Sequence, residues 1–140
     1  MLSVRSQLSA SAKKIGPALI FERLWKDLGI RSIFLSLVAS RKFGFNIERA
    51  LFLTVLHRLF VSGSDRCCEK WRNDYLIPGV EKLELHQLYR AMGFLGEELA
   101  VQKDRTPFAP RCTKDVIEER MFDYHCNLFT DRGRPIACEM

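Results

Sequence analysis

The stretch at residues 46–61, NIERALFLTVLHRLFV, decides the fold, because it predicts a helix that is apolar on most of its sides. Asn46 stands directly before the apolar run, where its side chain can accept a hydrogen bond from a free amide at the start of a helix. A surface helix carries an apolar stripe on one side, whereas a helix that is apolar nearly all round is normally buried. The stretch therefore predicts a central helix around which the other segments pack.

Two further helices are predicted before this stretch. Gly16 and Pro17 open the first, since proline is tolerated in the first turn of a helix, and Gly29 is a good terminator. Its apolar and charged residues recur at helical spacing and are expected on opposite faces. The apolar set is Ile20, Phe21, Leu24, Trp25 and Leu28, and the charged set is Glu22, Arg23, Lys26 and Asp27. The second helix is expected over residues 30–39.

Three helices are predicted after the central one. Ser64 is a plausible cap for a short basic helix, and Thr113 for the last helix of the chain. Between them, a seam of apolar residues spaced three and four apart indicates a long helix, which Gly93 and Gly96 weaken. The seam consists of Leu85, Leu88, Met92, Leu95 and Leu99. It is interpreted as intrachain core, with pairing to another protein as the alternative.

These patterns together predict an all-α domain of about six helices with a short extended C-terminal stub. The expected boundaries are a polar leader at 1–15, the helical domain at 16–129 and the stub at 130–140. A length of 140 residues with 47% apolar and 28% charged side chains is typical of one globular domain. No apolar run approaches the roughly 20 residues that span a bilayer, so no membrane partner is expected.

The charge is distributed unevenly along the chain. Residues 1–73 carry 13 basic and 5 acidic side chains, whereas residues 74–140 carry 9 and 12, within a net charge of +5. A basic half favours a polyanionic partner, with an ordinary solvated surface as the alternative. Five cysteines without C-x-x-C spacing favour neither a zinc site nor a disulfide framework. They indicate a reducing, cytoplasmic location.

No catalytic or metal-binding constellation is visible. The three histidines, His57, His86 and His125, lie in helical patterns with no carboxylate or cysteine at ligand spacing, so they are interpreted as ordinary packed or surface residues. The acidic pairs at 97–98 and 118–119 are sequence neighbours, which diverge by about 100° on a helix and do not converge on one metal ion. Neither a cofactor nor a small-molecule substrate is expected.

The strongest local signal is a possible helix-turn-helix. The helix at 46–61 is followed by the glycine-containing turn 62–64 and then by a short basic helix. Arg66 and Lys70 are four residues apart and share a helical face, as groups that contact DNA phosphates or bases would. The other candidates for DNA contact are Arg72 on the same helix and Arg41 and Lys42 before the central helix. Corners with glycine turns are also common in helical domains that bind no DNA.

Two longer stretches carry a family resemblance. FGFNIERALFLTVLHRLFVSGSDRCCEKW (43–71) and YLIPGVEKLELHQLYRAMGFLGEE (75–98) resemble the N-terminal region of bacterial insertion-sequence transposases of the RNase-H-like DDE class, and the resemblance extends over about 15–131. In the second stretch the residues in register are Leu83, Leu85, His86, Leu88, Tyr89, Arg90, Ala91 and Met92. The resemblance implies recognition of the ends of the element, with DNA as partner and association with itself or with full-length transposase as a further possibility.

The last residues depart from that family pattern. In such transposases a segment like HCNLFTD (125–131) leads into a strand that carries the first catalytic aspartate in a D-T-T context, but Asp131 is followed by RGRPIACEM. That string resembles a later hairpin of the catalytic domain, which predicts an internal deletion. The three carboxylates that hold Mg²⁺ or Mn²⁺ in the family cannot be assigned here. The expected function is binding of terminal inverted repeats without strand cleavage, and the alternatives are an interaction remnant or a non-functional relic.

Overall fold

The described part of the chain is helical, as predicted. The computed structural model describes residues 12–102 and 110–130, with the side chains of 127–130 left out. Most of the predicted leader and residues 131–140 of the predicted stub lie outside the described residues. The six helices are α1 (Gly16–Asp27), α2 (Ile30–Val38), α3 (Ile47–Phe60), α4 (Asp65–Trp71), α5 (Leu85–Leu95) and α6 (Thr113–Thr130), with a 3-10 turn at Arg72–Asp74 after α4. Only isolated bridges, and no strands, occur among these residues.

The central position of α3 is confirmed. Ten of its 14 residues are buried, and the helix packs against α2, α4 and α5. The side chain of Asn46 accepts a hydrogen bond from the Arg49 amide at 3.2 Å, so the predicted cap is present. At the carboxyl end of α3, the centre of the Phe60 ring lies 5.5 Å from that of Phe21 and 6.3 Å from that of Trp71. The helix that was apolar nearly all round in sequence therefore holds the other elements together.

The predicted buried face of α1 is only partly correct. Trp25 is buried, and Phe21 and Leu28 are half-buried, as predicted. Ile20 and Leu24 are 63% and 44% exposed, whereas Ala18 and Trp25 are buried and the Glu22 side chain is only 21% exposed. Trp25 and Glu22 turn inward because each has a polar partner on α3. The predicted end of the helix is confirmed, since Gly29 adopts a left-handed conformation with φ of 69°.

A buried ionic network joins α1 to α3. Arg49, which is 6% exposed, donates through Nε to Glu48 Oε2 at 2.7 Å and through Nη1 to Glu22 Oε2 at 2.7 Å. Trp25 Nε1 donates to Glu48 Oε1 at 2.8 Å. Burial lowers the pKa of Arg49, but hydrogen bonds and Coulombic attraction from Glu48 and Glu22 outweigh that effect and raise the pKa. The guanidinium also lies 4.7 Å from the centre of the Phe52 ring.

The predicted helix over the apolar seam is shorter in the structure. The helix α5 ends at Leu95 with Gly96 as its cap, so Leu99 lies beyond it. Of the two glycines expected to weaken the helix, Gly96 ends it, whereas Gly93 lies within it. Leu88 is fully buried and packs within the chain, while Leu85, Met92 and Leu95 are partly buried. The interpretation of the seam as intrachain core is therefore confirmed for α5.

The last helix starts one residue away from the predicted cap. Thr113 is its first residue, and the Cys112 amide donates to Asp115 Oδ2 at 2.7 Å in the capping role. The Thr113 amide donates to the carbonyl of Glu97 at 3.0 Å, which fixes the start of α6 to the segment after α5. Ile117 is buried, Met121 is partly buried and Tyr124 is 40% exposed, whereas the side chain of Leu128 lies outside the described residues.

We expect Arg49→Leu to lower the free energy of unfolding by about 3–5 kcal/mol, because Glu48 would remain as a buried carboxylate without its counterion. Urea unfolding followed by circular dichroism would measure the change. Arg23→Leu is the matched control, since Arg23 forms only an exposed ion pair with Asp27 and its loss should cost less than about 1 kcal/mol. Equal losses in the two variants would contradict a stabilising role for the buried network.

Candidate nucleic-acid interface

A tight corner joins α3 to α4 at the predicted turn. Ser62 has a positive φ of 52°, and the Ser64 hydroxyl accepts a hydrogen bond from the Cys67 amide at 3.4 Å, as predicted for the cap. A Cβ atom added to Gly63 would lie 3.0 Å from His57 Cε1, so only glycine fits here without movement of the histidine ring. The turn is therefore held close against α3.

The helix α4 exposes two of the predicted DNA-contacting residues side by side. Arg66 and Lys70 are both exposed and are about 40° apart around the helix axis. Neither forms an ion pair with a carboxylate among the described residues. The nearby Asp65 is buried, and its Oδ1 forms an ion pair with Arg58 Nη2 at 3.5 Å. The exposed face of α4 is therefore positive and uncompensated.

Two contacts fix α4 to the rest of the fold. Cys68 on its inner face is fully buried and donates from Sγ to the Leu53 carbonyl of α3 at 3.7 Å. Burial, as the main cause, raises the pKa of the Cys68 thiol to about 12, so the thiol stays protonated. Glu69 accepts a hydrogen bond from the Leu85 amide at the start of α5, at 3.1 Å. A positive face on a fixed helix can present its charges at a defined spacing.

Arg72 is placed differently from the other candidates. Its side chain is half-buried and Nη1 donates to the carbonyl of Val80 at 3.1 Å and also to that of Leu83. These bonds hold the loop that leads into α5. The structure therefore gives Arg72 an internal role, although the sequence grouped it with Arg66 and Lys70.

Arg41 and Lys42 lie on a second surface, in the loop between α2 and α3. Both are exposed, and Arg41 lines a groove of about 410 Å³ together with Phe43, Arg90, Gly93, Phe94 and Glu97. Lys42 has no carboxylate partner among the described residues. Arg41 forms an ion pair with Glu97, which follows α5. Arg41 thus lies beside the C-terminal half of α5. The helix α4 instead contacts Leu85, the first residue of α5, so the two surfaces are separate.

Arg90 is a candidate that the sequence analysis missed as a site residue. It is exposed on α5, and its guanidinium lies 5.6 Å from the centre of the Phe45 ring. Among the described residues it has no carboxylate partner. Arg90 and Phe94 are four residues apart and therefore neighbours on the surface of α5. This spacing of a cation beside an aromatic residue is the sequence signal that could have identified Arg90.

The interpretation of the histidines agrees with the structure where their surroundings are described. His57 is 1% exposed and packs 5.4 Å from the Trp71 ring, and neither of its nitrogens has a hydrogen-bond partner. His86 is exposed and lies 3.2 Å from Glu84. No group of three or more metal-ligating side chains occurs among residues 12–102 and 110–126. No catalytic step is assigned to these residues.

Comparison of the chain with protein-family models, curated proteins and solved structures finds no match. Among the described helices, none combines the length and apolar character needed to cross a membrane.

We expect the stability of the fold to fall with acid because of His57. Burial, only partly opposed by Asp65, lowers the pKa of His57 below its ordinary value of 6.5. As the pH falls below that value, the unfolded chain binds a proton at His57 before the folded chain does, so stability is complete above it and decreases below it. His57→Leu should therefore reduce the loss of unfolding free energy between about pH 7 and pH 5.

Urea unfolding at a series of pH values would measure this difference. His86→Leu is the matched control, because it removes an exposed imidazole and leaves His57 in place. If the unfolding free energy of His57→Leu falls with acid as steeply as that of the wild type, other groups cause the acid sensitivity.

Proposed function

We propose that this helical region binds DNA through the exposed face of α4. The observation that carries the proposal is the pair Arg66 and Lys70, which share a face and lack carboxylate partners among the described residues. Uncompensated cations on a rigid element bind backbone phosphates and release the counterions that surround them. The corner between α3 and α4 places this face beyond the core, where a DNA groove can approach it.

The resemblance to insertion-sequence transposases suggests which DNA is bound. The proposed target is the terminal inverted repeat of the element, and the proposed role is occupation of the element ends without strand cleavage by this chain. The capped α3–α4 corner supports the proposal because it has the helix–turn–helix arrangement that many DNA-binding domains use. The surfaces at α4 and at the Arg41–Lys42 loop then supply the phosphate contacts.

Pairing of the apolar seam with intact transposase is the less favoured function. Leu88 is fully buried against the core, and α5 makes its most extensive contact with α3. Pairing through this seam would therefore require α5 to leave α3, which would expose the core. Association with a second copy or with full-length transposase is not needed for the proposed binding of DNA.

The test is a titration of the purified chain against fluorescent duplexes carrying the terminal repeats of the encoding element, and against scrambled duplexes. We expect tighter binding to the repeats and an affinity that falls as salt rises. The slope of log K against log salt is negative. Arg66→Gln and Lys70→Gln should each reduce its magnitude by about 0.9, as expected for the loss of one phosphate contact. Fluorescence anisotropy at several NaCl concentrations would measure the slopes.

Arg23→Gln provides the control, because it removes the same charge from an exposed position on α1 that is paired with Asp27. Its slope should match that of the wild type. If the wild type binds neither duplex, the proposed function is wrong. If all three variants lose affinity equally, the binding reflects only net charge and the α4 face is not the site.

A further inference from the structure

The groove beside α5 is built on three aromatic rings. The Phe43 ring lies 6.1 Å from that of Phe45 and 5.8 Å from that of Phe94, with both pairs close to edge-to-face. Phe94 is buried, and Phe43 and Phe45 are half-buried, so the rings form a wall of the fold. Edge-to-face contacts favour one mutual arrangement of the rings. The wall therefore gives the groove a fixed shape.

Two guanidinium groups rest on this wall. Arg41 lies 5.5 Å from the centre of the Phe94 ring, and Arg90 lies 5.6 Å from that of Phe45. Both arginines line the same groove, and the cation–π contacts limit how far each side chain can move. Two guanidiniums held over one concave surface suit an oxyanion with several acceptor oxygens, such as a phosphodiester.

The floor of the groove is open at Gly93. A Cβ atom built at this position would meet no other atom within 4 Å. The backbone of α5 is therefore accessible at this point of the groove, which both arginines also line. A ligand can approach the helix closely here, which a larger side chain would prevent.

The two arginines differ in their partners. Arg90 has no carboxylate partner among the described residues, whereas Arg41 is paired with Glu97. Both members of the pair are nearly half exposed, at 44% and 46% of their side-chain surface. The backbone of Glu97 is fixed because its carbonyl accepts a hydrogen bond from Thr113. An exposed ion pair contributes little to stability, so an anion can displace the carboxylate at small cost.

We infer that this groove binds a DNA backbone phosphate between Arg41 and Arg90, and that Glu97 occupies Arg41 until the phosphate displaces it. The inference rests on the proposed binding of DNA and specifies how the surface at Arg41 would contact it, with Arg90 as an additional residue. It assigns Glu97 a restraining role: the carboxylate competes with the phosphate for one guanidinium. Removal of Glu97 should then strengthen binding, while removal of either arginine should weaken it.

The test measures the affinity of the variants for the same fluorescent repeat duplex. We expect Glu97→Gln to bind about two- to five-fold more tightly than the wild type, which corresponds to the loss of an exposed ion pair. Arg90→Gln should bind more weakly, and the magnitude of its salt slope should be smaller by about 0.9. In an Arg41→Gln background, the gain from Glu97→Gln should disappear.

Asp27→Asn is the matched control for Glu97→Gln. It also removes one exposed carboxylate from an ion pair with arginine, but on α1. Any gain that it produces measures the effect of net charge alone. Gly93→Leu is a further variant without a change of charge. It fills the open position, puts a good helix former in place of glycine on α5 and should weaken binding. Thermal unfolding of each variant would confirm that the fold is retained.

Titration with inorganic phosphate, followed by the NMR signals of the arginine side chains, distinguishes the source of the anion. If phosphate binds in the groove but the variants leave DNA affinity unchanged, the groove is a free-phosphate site and the inference is wrong. If Glu97→Gln and Asp27→Asn give equal gains while Arg66→Gln still weakens binding, the inference is wrong and the proposed function stands. If the wild type binds no duplex, both are wrong.

Discussion

A guanidinium group buried in a protein needs partners that offset its lost hydration, and the carboxylates that partner Arg49 tie α1 to α3. Arg49 brings its positive charge to the inner side of α3, and Glu48 next to it supplies one negative charge. The second carboxylate, Glu22, has to come from α1, which fixes the rotation of that helix. Trp25 lies three residues after Glu22, on the same side of α1, and its indole donates to Glu48. The apolar residues of α1 adjust to this arrangement, and several of them remain exposed.

The positions of the proposed DNA-binding surfaces depend on α3 as well. One surface follows its carboxyl end, where the corner at Gly63 directs α4 outward, and the other precedes its amino end, in the loop that carries Arg41 and Lys42. Between them lies α5, which contacts α4 at Leu85 and the loop at Phe94. A change in the packing of α3 against α5 would therefore alter the distance between the two surfaces. Their spacing is a property of the core and not of the loops.

Local signals were sufficient to predict most of the fold from the sequence. The caps at Asn46 and Ser64 and the terminator Gly29 depend on a few neighbouring residues, and all three were predicted correctly. The buried face of α1 was predicted only in part, because periodicity ranks Ile20 above Glu22 and cannot show an ion pair across 27 residues of sequence.

The candidate sites followed the same division between local and distant causes. The shared face of Arg66 and Lys70 follows from helical spacing. The internal role of Arg72 depends on carbonyls in a loop eight and eleven residues away. The place of Arg90 in a groove depends on contact with Phe45, which belongs to a different segment.

The two tryptophans of the chain lie in separate parts of this structure, which has a spectroscopic consequence. Trp25 is buried and bonded to Glu48, whereas Trp71 is half-buried at the end of α4 and stacks on Tyr75 at 4.1 Å. One indole therefore senses the junction between α1 and α3, and the other senses the corner that carries Arg66 and Lys70. Emission from Trp71 would report an event at α4, and emission from Trp25 would report loosening of the core. Intrinsic fluorescence of variants that keep only one of the two tryptophans can thus separate occupation of the surface from unfolding.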